Sequence, residues 1–237
     1  MPTLTELLDD AALLSFEHQL HLGEVLGEHT WQVDLSRPAI EFAGATPRTC
    51  ERVHLLGSAA PGPGSWLWGW ANPTGFLPAV VGLGEYVRDF GRKHGIAELT
   101  EAEVPFANLP GSPDDPHEVV GLFVEAAKPV ANVWTSYSCE VEGGTRVAFL
   151  VEHPDFVLPA PVPERVTRVL HEGTAELELR DPRRALHSYA ARRGLNPTFD
   201  PPGTRLTMTG PGLTATVHFG PNGRVEKIDA QLSPAGS

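Results

Sequence analysis

Arg52-Val-His-Leu-Leu-Gly-Ser-Ala-Ala-Pro-Gly-Pro-Gly-Ser-Trp-Leu-Trp-Gly-Trp-Ala-Asn72 reads as two strands folded back on each other. Arg52 to Ser58 is apolar and strand-like, and the Pro/Gly run Ala60 to Gly64 supplies the reversal. Ser65 to Asn72 then carries Trp66, Trp68 and Trp70 at every second position. If the whole stretch is extended, all three indoles project from one face, with Leu67, Gly69 and Ala71 on the other. Such a face serves as a core wall beneath a helix, or as a stacking platform for a flat ligand or a sugar with Asn72 as a hydrogen-bonding neighbour. Large aromatic side chains are mostly buried, so the wall takes precedence.

Working outward, Trp31, Val33 and Leu35 alternate with polar residues, and Ile40 and Phe42 do so after Arg37-Pro38. With the pair above they predict a four-stranded antiparallel meander. Upstream, Thr3-Leu-Thr-Glu6 has the form of a capping box, followed by apolar residues at helical spacing until Gly27. Downstream, Pro78 and Gly95 bracket one helix, and Asp114-Asp115-Pro116 opens a second, more apolar one. Strands return at 133–141 and 146–152, and the proline-rich passage Pro154 to Pro163 connects them to two further helices, the clearer one capped by Asp181-Pro182. A three-stranded meander closes the chain at 205–209, 213–219 and 224–232, with Asn222-Gly223 as a type I′ hairpin signal. Helices and antiparallel strands thus come in blocks, which predicts an α+β fold with meanders at both ends. Residues 1–237 read as a single unit, with 1–153 and 154–237 as the alternative subdivision.

The segment Leu55-Leu-Gly-Ser58, its Pro/Gly loop and Trp66-Leu-Trp-Gly-Trp-Ala-Asn-Pro73 resemble a bacterial family known only as a domain of unknown function. Ser15-Phe-Glu-His-Gln19 and Trp31-Gln-Val-Asp-Leu35 fit the same resemblance, which covers residues 4–95. It implies an ordered domain. It supplies no activity, cofactor or site residue.

Charge narrows the classes of function. Thirty acidic residues oppose eighteen basic ones, a net of −12. That field repels nucleic acid and anionic membranes, so neither is expected as a partner. No Lys or Arg precedes Arg37, and none lies between Glu98 and Glu125, while arginines gather from Arg165 to Arg193. The leading expectation is a non-catalytic binding protein whose acidic surface takes a basic protein, an immunity-like role being one version. The alternative is a small-ligand or enzymatic pocket lined by Trp66, Trp68 and Trp70. Self-association is left open.

The acidic N-terminus is unlike a signal peptide, and no apolar run reaches the roughly 18 residues of a membrane span, which together predict a soluble, cytoplasmic protein. Arg outnumbers Lys fifteen to three, a usage that suggests a GC-rich bacterial genome. Cys50 and Cys139 form no framework and read as reduced core residues. His18 and His21, one turn apart, match no metal-binding motif and read as polar helix positions. Cys50 and His54 share a face only if their strand is regular. Glu152-His-Pro-Asp155 reads as a turn, and Arg183, Arg184, Arg192 and Arg193 as solvated helix positions, some of them paired with nearby acids. Nucleophile elbows and phosphate loops are missing, so no cofactor, metal or catalytic residue is assigned.

Overall fold

The computed structural model describes residues 1–232. Its contacts divide into two compact units. The first comprises Met1–Leu7 and Gln19–Val157, and the second Leu8–His18 with the described residues from Leu158 onward. Helix α1 (Leu4–Leu26) therefore contributes to both. Its start is fixed locally: Thr3 accepts from the Glu6 backbone N–H, and Glu6 accepts from that of Thr3.

The first unit holds two antiparallel sheets. Strands β1 (His29–Asp34), β2 (Ala39–Gly44) and β3 (Arg48–Cys50) make the smaller one. Trp31 faces Phe42 and Val33 faces Ile40 across the β1–β2 hairpin. The larger sheet has the order β6 (Glu103–Pro105), β5 (Ser65–Trp68), β4 (Arg52–Ala60), β8 (Arg146–Glu152), β7 (Thr135–Glu140). The expected single meander is thus split. The chain breaks at Glu51 and β4 turns into a second sheet, where β8 covers its other edge. Cys50 and His54 consequently belong to different strands, and the shared face predicted for them does not exist.

Helix α2 (Pro78–His94) begins on Pro78 and stops at Gly95, whose φ of 71° suits glycine. Helix α3 (Pro116–Ala131) is capped by Asp115, which accepts from the His117 N–H. Ile40, Phe42, Val53, Leu55, Val80, Phe149 and Val151 form one buried cluster with Leu22 and Leu26 of α1.

The second unit has helices α4 (Pro163–Glu176) and α5 (Pro182–Arg192) and a four-stranded sheet. The order is β12 (Val225–Leu232), β11 (Leu213–Phe219), β10 (Arg205–Gly210), β9 (Asn196–Phe199). Strand β9 is an addition to the predicted three. In β11, Leu213, Ala215, Val217 and Phe219 are buried while Thr214, Thr216 and His218 are half-exposed, the alternation of a sheet with one wet face. The β11–β12 connection departs from the expected type I′ turn. It takes the wider path Gly220 to Arg224 and needs positive φ only at Gly223.

Candidate functional site

The tryptophan motif is extended only as far as Trp68, where a single 3₁₀ turn, Gly69–Ala71, takes over. Trp66 and Trp68 share a face for the reason alternation gives. Trp70 arrives beside them by the turn instead, its ring 6.5 Å from Trp68 at 21°. Trp66 stacks on Phe123 of α3 at 4.5 Å, and Trp68 meets the same ring edge-on at 5.3 Å. The Trp68 Nε1 donates to the Glu98 carbonyl, 3.1 Å away. Both indoles are 0% exposed, so a ligand could not touch either ring in this arrangement. Each removes roughly 200 Å² from water, on the order of 5 kcal/mol of hydrophobic stabilisation. They form a wall beneath α3.

Two glycines make the wall possible. A Cβ on Gly57 would lie 2.6 Å from Trp66 Cζ2, and one on Gly69 would lie 2.8 Å from the Leu55 carbonyl oxygen. Only Trp70 and Asn72 of the predicted site residues reach the surface, each half-buried. The Arg88 guanidinium carbon sits 4.9 Å from the centre of the Trp70 ring. The Asn72 side chain accepts from the Thr74 N–H at 2.9 Å, which makes it part of its own turn.

The remaining candidate side chains are engaged structurally. Burial pushes the Cys50 thiol up to about 12, so it stays neutral, and Cys139 is raised for the same reason. His21 Nε2 lies 3.0 Å from the Asp155 carbonyl oxygen. Glu152 pairs with Arg52 and His54, while Asp155 pairs with Arg48 at 2.8 Å. A single 3₁₀ turn, Pro154–Phe156, follows, and His153 Nδ1 accepts from the Asp155 N–H. Among the described residues no three His, Cys, Asp or Glu side chains gather as metal ligands.

In the second unit, acids at the N-terminal end of the chain anchor α5. Asp9 accepts from the backbone N–H groups of Arg180 and Asp181, both at 3.0 Å, and burial raises its carboxyl. Asp10 takes a bidentate contact from Arg184 at 2.8 and 2.7 Å. Glu17 is 1% exposed, pairs with Arg193 at 2.9 Å and accepts from the Tyr189 hydroxyl at 3.0 Å. Burial first, then the Glu17 charge, pushes the Tyr189 phenol upward.

In the first unit, the run of acids from Glu98 to Glu118 has no basic partner among the described residues. Glu98, Glu101 and Glu103 lead into and occupy the edge strand β6, and Asp114, Asp115 and Glu118 surround the start of α3. All but half-buried Glu98 are exposed. None of the six forms an ion pair with a described residue, whereas Arg37, Arg48, Arg52, Arg88, Arg92 and Arg146 each have a carboxylate partner. Position explains part of this. Acids at a helix start complement its dipole, and an exposed Glu on a three-residue edge strand discourages strand addition. Neither role requires Glu98 or Glu101.

With this geometry in place, residues 5–154 match the model of a family described as Family of unknown function (DUF6882). The chain belongs to that family. The match spans more than half of the chain and extends past the segment that carried the sequence resemblance, to the end of the larger sheet. Helices α4 and α5 and strands β9–β12 lie outside it. No curated protein and no solved structure matches the chain. No helix among the described residues is long and apolar enough to cross a membrane.

Proposed function

We propose that this protein is a non-catalytic binding protein and that the acidic border of its first unit takes a basic protein partner. The observation that supports it is the run from 94 to 127: six carboxylates without an ion pair, and no Lys or Arg to neutralise them. In water such charges steer encounter with an oppositely charged surface and fix its register more than they add raw affinity. The tryptophan motif serves this function indirectly. By packing Trp66 and Trp68 under α3, it holds β6 and the start of α3 on a stiff support. A ligand pocket at the motif would have only Trp70 and Asn72 to offer, since the other two rings expose nothing.

The test compares two triple charge reversals in binding a fluorescent deca-lysine peptide. One is Glu101→Lys, Glu103→Lys, Asp114→Lys on the border. The other is Glu28→Lys, Glu51→Lys, Glu142→Lys at exposed positions elsewhere on the same unit. The net charge changes equally. The border variant is expected to lose about tenfold in affinity at low salt, and the control less than about threefold. Equal losses mean that only total charge matters, and the proposal fails.

A further inference from the structure

We infer that the second unit carries a binding site for a small organic anion with a flat apolar body, in the cleft beside the start of α5. The cleft is a shallow depression open to solvent, with a volume of about 460 Å³, lined by Asp181, Arg183, Arg184, His187, Phe199 and Gly203. That volume lies within the roughly 300–1,000 Å³ of small-molecule sites.

The lining combines positive charge with aromatic rings. Arg168, Arg184, Arg193, Arg205 and Lys227 of this unit each have a carboxylate partner. Arg183, like Arg180 and Arg224, has none among the described residues, although the chain as a whole carries a net charge of −12. Its guanidinium carbon lies 5.4 Å from the centre of the Phe219 ring, and its Nε is buried without a hydrogen-bond partner. His187 stacks on Phe199 at 5.9 Å and 8°, and Phe199 lies 6.3 Å from Phe219. Planar groups therefore line the cleft next to an unneutralised guanidinium. A guanidinium held on a ring face is poised to take a carboxylate or phosphate with its outward donors.

The helix end itself is not the site. Asp181 Oδ1 already accepts from the Arg183 and Arg184 N–H groups, at 3.0 and 3.2 Å, so the ligand's charge falls to the Arg183 side chain. Arg184 is neutralised by Asp10 and contributes shape more than charge. Polyanions are excluded by the acidic remainder of the chain, which leaves a small molecule whose ring rests against Phe199.

The test is a titration of the full chain, followed by NMR at the His187 side chain and the α5 amides, with 2-naphthoate, adenosine 5′-monophosphate and inorganic phosphate at constant ionic strength. At least one of the two organic anions is expected to bind with a Kd below ~10 mM, and inorganic phosphate at least about tenfold more weakly. Arg183→Met should abolish the shifts, while Arg192→Met, on the exposed last turn of α5, should leave them. The inference is overturned if neither organic anion shifts these signals. It is equally overturned if Arg183→Met binds unchanged, or if inorganic phosphate binds as tightly as the organic anions.

Discussion

Seven acids precede the first basic residue, Arg37, and three of them, Asp9, Asp10 and Glu17, hold α5 in place. From the sequence they looked like part of an acidic face. Nothing local marks them otherwise, because their partners lie more than 170 positions away. The Glu17–Arg193 pair lies in the interior, so removing one member strands the other in a poor solvent. Arg193→Met should cost about 3 kcal/mol. Tyr189→Phe removes one hydrogen bond to the same carboxylate but leaves the ion pair, and should cost about 1.5 kcal/mol. Hydrogen exchange at the α5 amides reads this unit directly. Equal losses, or a larger one for Tyr189→Phe, contradict a buried pair that depends on mutual neutralisation. Arg193 is paired with an acid, as the sequence predicts for some of these arginines, but its 9% side-chain exposure corrects the solvated position expected for it.

Elements with local signals were legible. The caps at Thr3, Asp115 and Asp181, the first-turn prolines Pro78 and Pro182 and the stop at Gly95 all lie where sequence chemistry puts them. Short strands were not legible. Strand β3 is three residues and β9 four with a proline inside, too little pattern for a period to emerge. The tryptophan strand was legible through Trp68. Its end was missed because Gly69 yields to a demand from β4: only glycine lets the chain pass so close to the Leu55 carbonyl. Gly57 plays the matching part opposite Trp68, leaving room for the Trp66 ring. Gly57→Ala should therefore destabilise the first unit by about 2–3 kcal/mol through overpacking. Gly82→Ala, in α2 with open space around the added methyl, should instead stabilise it by about 0.5–1 kcal/mol. Thermal unfolding of the two variants checks both signs, and a harmless Gly57→Ala contradicts the packed wall.

At the scale of the whole chain, an excess of twelve negative charges is legible to anyone who counts, but its distribution is not. Folding places Arg48, Arg52, Arg184 and Arg193 beside carboxylates from remote parts of the sequence, whereas six acids of the run from Glu98 to Glu118 form no ion pair with a described residue. That run was visible as a stretch without basic residues. Its place at a sheet edge and a helix start was not, because β6 pairs with β5 across a separation of some forty residues. The most direct measurement is an amide-resolved NMR titration of the isotope-labelled full chain with the deca-lysine probe. A partner surface on the border predicts shifts concentrated in residues 97–118, fading as salt is raised. Shifts of the same size around Glu28, Glu51 and Glu142 would contradict it, because the probe would then be following total charge and not a place.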